Sequence, residues 1–394
     1  MTGMSTVSPI LSIYAKSFGV DYAMAAFAIS IFAIGRLFSN LPVGMLGDRI
    51  GRRPVLLIGV TIIGVSAFLN AYATSFLEFL LYRLLEGVGS SMFMTMRVTM
   101  LQDILKPEER GRILGYFQAF QLIGSSSGPT IGGLTAQYWG LKAPFFVYGA
   151  GSIICLVLSY FLLPETHDAG SQGEGDSGEG TGFSWQAVRR LFGNPTYLTA
   201  CIGTFAMFME MQSVRVTLVP LYGSVILGLN AAEIGYAISS AMVTMLLFVI
   251  PVGYALDRIG RKKVLIPFLV GLVISSMAFP FTTSFIQIVL VCVLLGACEG
   301  GVGQAPLTMA SDATMNESHG IAMSVYRIFG DAGYVVGPIM VGALSDAFGL
   351  RAPFYVVAAI IFVSAVLIQV FAKETLVKKK KSEPPSGVTL GRVE

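Results

Sequence analysis

Apolar runs long enough to cross a bilayer recur along this chain, separated by short charged clusters, and no other feature narrows the possible folds so far. A helix spanning the roughly 30 Å hydrocarbon core needs about 20 apolar residues. Eleven runs approach or exceed that length, at residues 22–46, 54–73, 76–101, 113–137, 143–163, 196–222, 232–255, 264–282, 285–310, 321–345 and 352–372, and a twelfth is partly present at 1–16. Of the 394 residues 54% are hydrophobic and only 12% charged, against about 25% charged in ordinary soluble proteins. The mean hydropathy of +0.73 agrees. Too little charge remains to wet a soluble surface, so a soluble enzyme is close to excluded and an all-α membrane protein is expected. The net charge is only +3, which removes the case for nucleic-acid binding.

Several other chemistries fall away with it. Cys155, Cys201, Cys292 and Cys298 all lie inside apolar runs without metal-ligand spacing, so they read as packing residues. His167 and His319 stand far apart in polar loops, which argues against a metal site or a histidine triad, and no cofactor is expected. No phosphate loop of the GxxxxGK(S/T) kind occurs, so the chain cannot power itself with ATP. The N-terminus carries no signal-peptide pattern.

Lysine and arginine set the expected orientation. One alternate set of loops holds thirteen, from Arg49, Arg52 and Arg53 to Lys373, while the opposite set holds three: Lys16, Lys142 and Arg351. The richer set, with the C-terminus, is therefore expected in the cytoplasm. Between spans 6 and 7, residues 168–182 read DAGSQGEGDSGEGTG, a flexible linker by composition. A short surface helix follows, with Ser184 as N-cap, an apolar stripe of Trp185, Val188 and Leu191, and a stop at Gly193 and Pro195.

The chain also repeats itself. Asp48 and Asp257 are 209 positions apart, as are Arg52 and Arg261, Asp103 and Asp312, Gly111 and Gly320, and Pro129 and Pro338. GLKAPFF from Gly140 and GLRAPFY from Gly349 keep that offset, as do PET from Pro164 and KET from Lys373. Two bundles of one topology follow: residues 1–163 and 196–372, with a linker at 164–195 and a cytoplasmic tail at 373–394. Parallel halves of this kind suit alternating access about a central site. Counting back 209 positions from Thr196 lands about 13 residues before Met1, so span 1 is expected to start upstream or to be truncated.

The loops carry a recognisable pattern. GMLGDRIGRR at 44–53 includes Gly44, Asp48, Arg49, Gly51, Arg52 and Arg53, and GYALDRIGRK at 253–262 includes Gly253, Asp257, Arg258, Gly260 and Arg261. The glycines are expected to let helix ends approach closely. This pattern resembles the signature loop of the major facilitator superfamily, and it occurs here in both halves. The resemblance implies two six-helix bundles related by a pseudo-twofold axis, function as a monomer, and a cytoplasmic latch of Asp48, Arg52 and Asp103 that holds the outward-open state. Asp257, Arg261 and Asp312 are its expected counterpart, weaker or pH-sensitive because His319 stands where Arg110 is in the first copy. In span 5, Gly115, Gly124, Gly128, Pro129, Gly132 and Gly133 match the helix motif of the superfamily's antiporters, and Gly333, Gly337, Pro338 and Gly342 repeat much of it in span 11. Small residues at this spacing permit close helix contact.

Charges at membrane depth are costly and so point to function. Arg83 and Glu86 share a face of span 4, in RLLEGVGSS, which resembles a superfamily motif whose arginine is associated with proton coupling. Glu210 and Arg215 lie in span 7 and Glu299 in span 10. Five α-helical residues turn roughly 140° net, so Glu210 and Arg215 are expected to face apart. Arg327 and Asp331, four apart in span 11, are expected to pair with each other, and Arg36 in span 2 has no legible partner. In the superfamily, spans 1, 4, 7 and 10 line the cavity, so Glu210 and Glu299 are the favoured proton or cation handlers. A carboxylate facing an apolar cavity holds its proton more tightly, as a proton carrier near neutral pH must. Met92, Phe93, Met94, Met96 and Met100, with Phe205, Met207, Phe208, Met209 and Met211, supply soft side chains, of which at most half can face a cavity.

The resemblance to drug:proton antiporters implies proton-coupled export of amphipathic or cationic small molecules across the plasma or inner membrane. The alternative is a proton-coupled importer of a sugar, carboxylate or amino acid, with Arg36, Arg83 and Arg215 holding an anion. A sensor or scaffold that kept the fold without transport is a third possibility.

Overall fold

Hydrocarbon offers the backbone no hydrogen-bond partner, so a chain this apolar satisfies its N–H and C=O groups within helices. The computed structural model describes residues 2–104, 110–166, 185–314 and 319–375, and every regular element among them is helical. The first half comprises α1 (Thr2–Val7), α2 (Leu11–Lys16), α3 (Tyr22–Ile50), α4 (Arg52–Tyr72), α5 (Phe76–Ile104), α6 (Arg110–Trp139) and α7 (Ala143–Leu162). After α8 (Trp185–Gly193) the second half runs α9 (Pro195–Glu210), a π-helical segment (Met211–Leu218), α10 (Val219–Val225), α11 (Ala231–Ile259), α12 (Arg261–Ala278), α13 (Phe285–Val302), α14 (Ala305–Ala313), α15 (His319–Phe348) and α16 (Ala352–Phe371).

Eight of the described stretches are long and apolar enough to cross a bilayer. Helices α5 and α6 match them in length, but charges dilute the first and Gly, Ser and Gln the second. The seventh span is α9, the π segment and α10 joined end to end. Span 1 is two short helices, α1 and α2, with Pro9 in the turn between them, where the missing N–H interrupts the ladder.

The expected linker at 168–182, the Ser184 cap, His167 and the tail beyond 375 lie outside the described residues. Helix α8 is present at the expected place, and Leu191 is buried in the core of the second half. Asn194 follows it, accepting from the N–H groups of Thr196 and Tyr197 to start α9.

The repeat persists in atomic detail at the end of the molecule that carries the arginine-rich loops, called the basic end below. Gly51 and Gly260 each join two helices at positive φ, 97° and 122°, a conformation glycine adopts without steric cost. Immediately after them, Glu165 accepts from the N–H groups of Arg52 (3.1 Å) and Arg53, and Glu374 from those of Arg261 (2.7 Å) and Lys263. Each carboxylate thus sits at a helix N-terminus, where the unpaired N–H groups and the dipole favour an anion. The next pair matches too. The Arg53 guanidinium donates to the Tyr160 carbonyl, and the Lys262 ammonium to the carbonyls of Gln369 and Ala372. Gly44 and Gly253 depart from expectation: a Cβ at either would meet open space, so these two do not serve a close approach. Gly47 does, packing on Met96.

The halves meet along two seams related by the same offset. In one, Gly133 of α6 lies on the start of α11, where a Cβ would come within 3.1 Å of the Cα atoms of Ala232 and Gly235. In the other, Gly342 of α15 lies on the start of α3, where a Cβ would be 2.8 Å from the Ala23 Cα. Thr130 donates to Ser239 Oγ in the first seam (2.7 Å), and Ser30 to the Val335 carbonyl in the second (2.7 Å). The α3 N-terminus has its cap supplied from the other half. Asp21 makes no side-chain cap, whereas Asp346 of α15 accepts from Tyr22 N–H (2.9 Å) and Ala23 N–H (2.8 Å). These contacts lie in the part of the molecule away from the basic end. Toward the basic end, Phe38 and Met45 of α3 and Arg327 and Ile328 of α15 are exposed.

Candidate transport site

A buried charge is tolerated when it is paired and hydrogen-bonded, and the intramembrane charges sort by how that need is met. Arg83 and Glu86 meet it locally. Their side chains form an ion pair of 2.8 Å on one face of α5, both almost fully enclosed. Asn70 of α4 donates to the same carboxylate oxygen at 2.9 Å, and the Arg83 guanidinium lies over the Phe32 ring of α3. The pair therefore binds α5 to both helices packed on it.

The second half solves the problem across helices. Arg215, in the π segment, pairs with Glu299 of α13, both buried. Glu210, the last residue of α9, is fully buried, and neither of its carboxyl oxygens has a hydrogen-bond partner among the described residues. The charged groups that face it are Glu299 and Arg215. Wider π winding, roughly 4.4 residues per turn for i→i+5 bonding, reduces the angle from Glu210 to Arg215 from about 140° to about 50°. That winding is what the expectation of opposed faces lacked. The hydrogen bond from Thr217 Oγ1 to the Gln212 carbonyl, five residues back, follows the same spacing.

The expected pair of Arg327 and Asp331 is not formed. Asp331 instead bonds Arg36 across the seam at 3.0 Å, and the Arg36 guanidinium also covers the Tyr334 ring. An exposed i,i+4 pair gains only about 0.3–0.5 kcal/mol, whereas Arg36 in the seam would otherwise lack a counter-charge. Arg327 is left exposed. Sequence reasoning gave Arg36 no partner because the partner comes from another half of the chain.

At the basic end, Arg261 lies 3.6 Å from Asp257 and 3.2 Å from Asp312, and donates to the Leu256 carbonyl. The side chains of Asp48, Asp103, Arg110 and His319 are outside the described residues. Arg49 and Arg258 point outward, the latter over the Tyr254 ring. The antiporter-type glycines divide their tasks. Gly128 and Gly132 pack on Ser5 and Thr6 of α1, and Gly133 faces the other half. Gly124 is half-buried in α6, and the surroundings of Gly115 are not among those described. The methionines are mostly core: Met92, Met96 and Met100 form a cluster with Val55 and Leu56, and Met207 and Met209 are buried in the second half.

Two cavities lie within the halves rather than between them. One of about 510 Å³ runs between α9 and α16 and is almost wholly apolar. The other, about 240 Å³, sits in the first half beside Ser90, Phe93 and Tyr148.

Comparison with known proteins gives a consistent result. The profile described as "Major Facilitator Superfamily" matches residues 1–238 and 202–393. Multidrug resistance protein MdtG from Salmonella typhi and from Salmonella typhimurium are each 28% identical over 370 residues, 92% of this chain and 90% of the relative. Among solved structures, a bacterial homologue of the human lysosomal transporter Spinster, in an inward-facing and occupied conformation, superposes with a TM-score of 0.77 at 15% identity, covering 94% of this chain and 93% of that one. A point mutant of the nucleoside transporter NupG gives 0.74 at 15% identity, covering 94% and 97%.

Proposed function

The chain belongs to the major facilitator superfamily, and from that membership we propose that it exports amphipathic or cationic small molecules in exchange for protons. It is a multi-pass membrane transporter working by alternating access. The basic end, with the C-terminus, is placed in the cytoplasm of a cell enclosed by this membrane, in accord with the distribution of lysine and arginine. We read the described conformation as inward-facing, in accord with seam contacts that lie away from the basic end. Residues 1–163 and 196–372 act as the two rocking bodies.

The observation that carries the reading is Glu210, a fully buried carboxyl without a hydrogen-bond partner among the described residues, beside the Arg215–Glu299 pair. An ionised carboxylate so enclosed would cost several kcal/mol, and carboxyl groups held in this way mark proton relays in transporters. The similarity to multidrug resistance proteins supports the solute class. Import of an anion draws less support, because Arg36, Arg83 and Arg215 are each already matched to an acid. The loop clusters around Arg52 and Arg261 are assigned to a cytoplasmic latch, of which the contacts of Arg261 with Asp257 and Asp312 are formed in the described conformation.

Reconstitution in vesicles with an imposed pH gradient tests this. Lipophilic cationic dye should move opposite to the proton flow, and Glu210→Gln should abolish the coupling. Dye flux that ignores the gradient would overturn the reading.

A further inference from the structure

Among the described residues, four buried polar atoms without hydrogen-bond partners belong to one charged group, both carboxyl oxygens of Glu210, Arg215 Nε and Glu299 Oε1, and Gln212 Oε1 and Ser213 Oγ lie unpaired on the same π segment. Native interiors hold few such atoms, and a cluster of them calls for an explanation. Here the acids outnumber the cations. Glu210 and Glu299 are enclosed with one arginine, and the other titratable groups facing them are the thiols of Cys292 and Cys298. Ionised together, the two carboxylates would leave an unmatched negative charge in a dry site. The site is neutral with one proton, and the arginine, free at Nε and wound onto the same side as Glu210, has groups left to bond the second acid.

We propose that Arg215 is the shared positioning residue of a two-acid, one-proton unit: it pairs with one glutamate while the other carries the proton, and it exchanges partners as that proton is taken up or released. In the described conformation Arg215 holds Glu299, and the proton resides on Glu210. When the proton leaves to water, only an O–H bond breaks and Glu210 becomes a carboxylate that competes for the guanidinium. Protonation of Glu299 from the other side frees the arginine to pair with Glu210. The unit goes beyond the exporter reading by fixing how many protons the site holds and which group selects their position. It rests on that reading only for the direction of flow.

The test uses the full-length protein in lipid vesicles, with two readouts. Infrared difference spectra between acid and alkaline pH count protonated carboxyl groups, and proton-driven dye flux is recorded across pH. Wild type should lose a single buried carboxyl band. Glu210→Gln and Glu299→Gln should each lack it, because the remaining acid then keeps Arg215 to itself. Arg215→Lys should retain one band and most of the flux. Arg215→Gln should show two bands and lose proton-driven flux by at least about a hundredfold, the scale of a missing proton-transfer group. Should Arg215→Gln not survive purification, Glu299→Gln decides alone. A titrating carboxyl that persists in Glu299→Gln, or an unchanged pH profile in Arg215→Gln, would overturn the inference. If wild type moves no dye yet the bands follow this pattern, the export reading fails and the unit stands.

Discussion

The two halves share their loops and differ in their interiors. At the basic end, the atoms repeat: Glu165 and Glu374 cap matching helices, and Arg53 and Lys262 close matching carbonyls. At depth the offset of 209 pairs Arg83 with Cys292, Glu86 with Leu295, Ser90 with Glu299 and Thr6 with Arg215. Loop contacts hold each half together in the same way and so tolerate duplication. Interior charges are costly wherever they stand, and each half has kept a different set. The first half balances one arginine with one acid on one helix, supported by Asn70. The second half sets one arginine, carried on a π segment, against two acids on α9 and α13 and pairs it with one of them. A one-to-one pair balances its charge without a proton, even though Glu86 Oε1 and Asn70 Oδ1 also lack hydrogen-bond partners among the described residues, whereas two acids against one arginine balance only by holding one. On this comparison we assign, as part of the proposal, rigidity to the first half and the proton chemistry to the second.

The comparison is broken most directly by removing each set as a unit. Arg215→Met with Glu299→Leu should abolish proton-driven flux, by about a hundredfold or more. Arg83→Met with Glu86→Leu should leave that flux within several-fold of wild type, with stability changed by no more than about 3 kcal/mol, since a buried pair often roughly breaks even against apolar replacement and Asn70 loses one bond. Parallel vesicle assays and thermal melts decide it, and equal losses in both halves would refute the division of labour.

The seams come next. Gly133→Val and Gly342→Val should hinder closure away from the basic end alike, by about 1–3 kcal/mol each, because both insert atoms against a neighbouring backbone. A cysteine replacing Ser239, buried in one seam, should then react faster with an impermeant thiol reagent added outside. Asp346→Ala removes a cap found in one seam alone and should favour opening by about 1 kcal/mol, seen as a roughly fivefold rise in the same reactivity. The smallest effect belongs to the shared loops. Glu165→Gln and Glu374→Gln should each lower stability by less than about 1 kcal/mol, equally in the two halves. Unequal melting shifts would show that the loop duplication is not energetic.

Much of this was legible in the chain. Run lengths located the spans, the repeat divided the chain into two bundles, and the i,i+3 spacing of Arg83 and Glu86 put them on one face. Glu210 and Glu299 stand out by the cost of burying a carboxylate together with the cavity-lining spans that the superfamily resemblance implies. The pairing of Arg36 with Asp331 was hidden, as were the capping of α3 by Asp346 and the role of Glu165 and Glu374, because each joins residues more than a hundred positions apart. The angle between Glu210 and Arg215 departs from the α-helical expectation because the chain winds wider over Met211–Leu218, which no local residue pattern marks.

What the sequence determined by itself was the class of molecule: how many helices, how they repeat, and which costly groups they bury. These follow from length, hydropathy and local spacing, quantities that the order of residues states outright. Which charge answers which from helix to helix at membrane depth was decided only in the tertiary structure. Electrostatic pairing depends on distance through space, and packing sets that distance between segments whose separation along the chain carries no information about it.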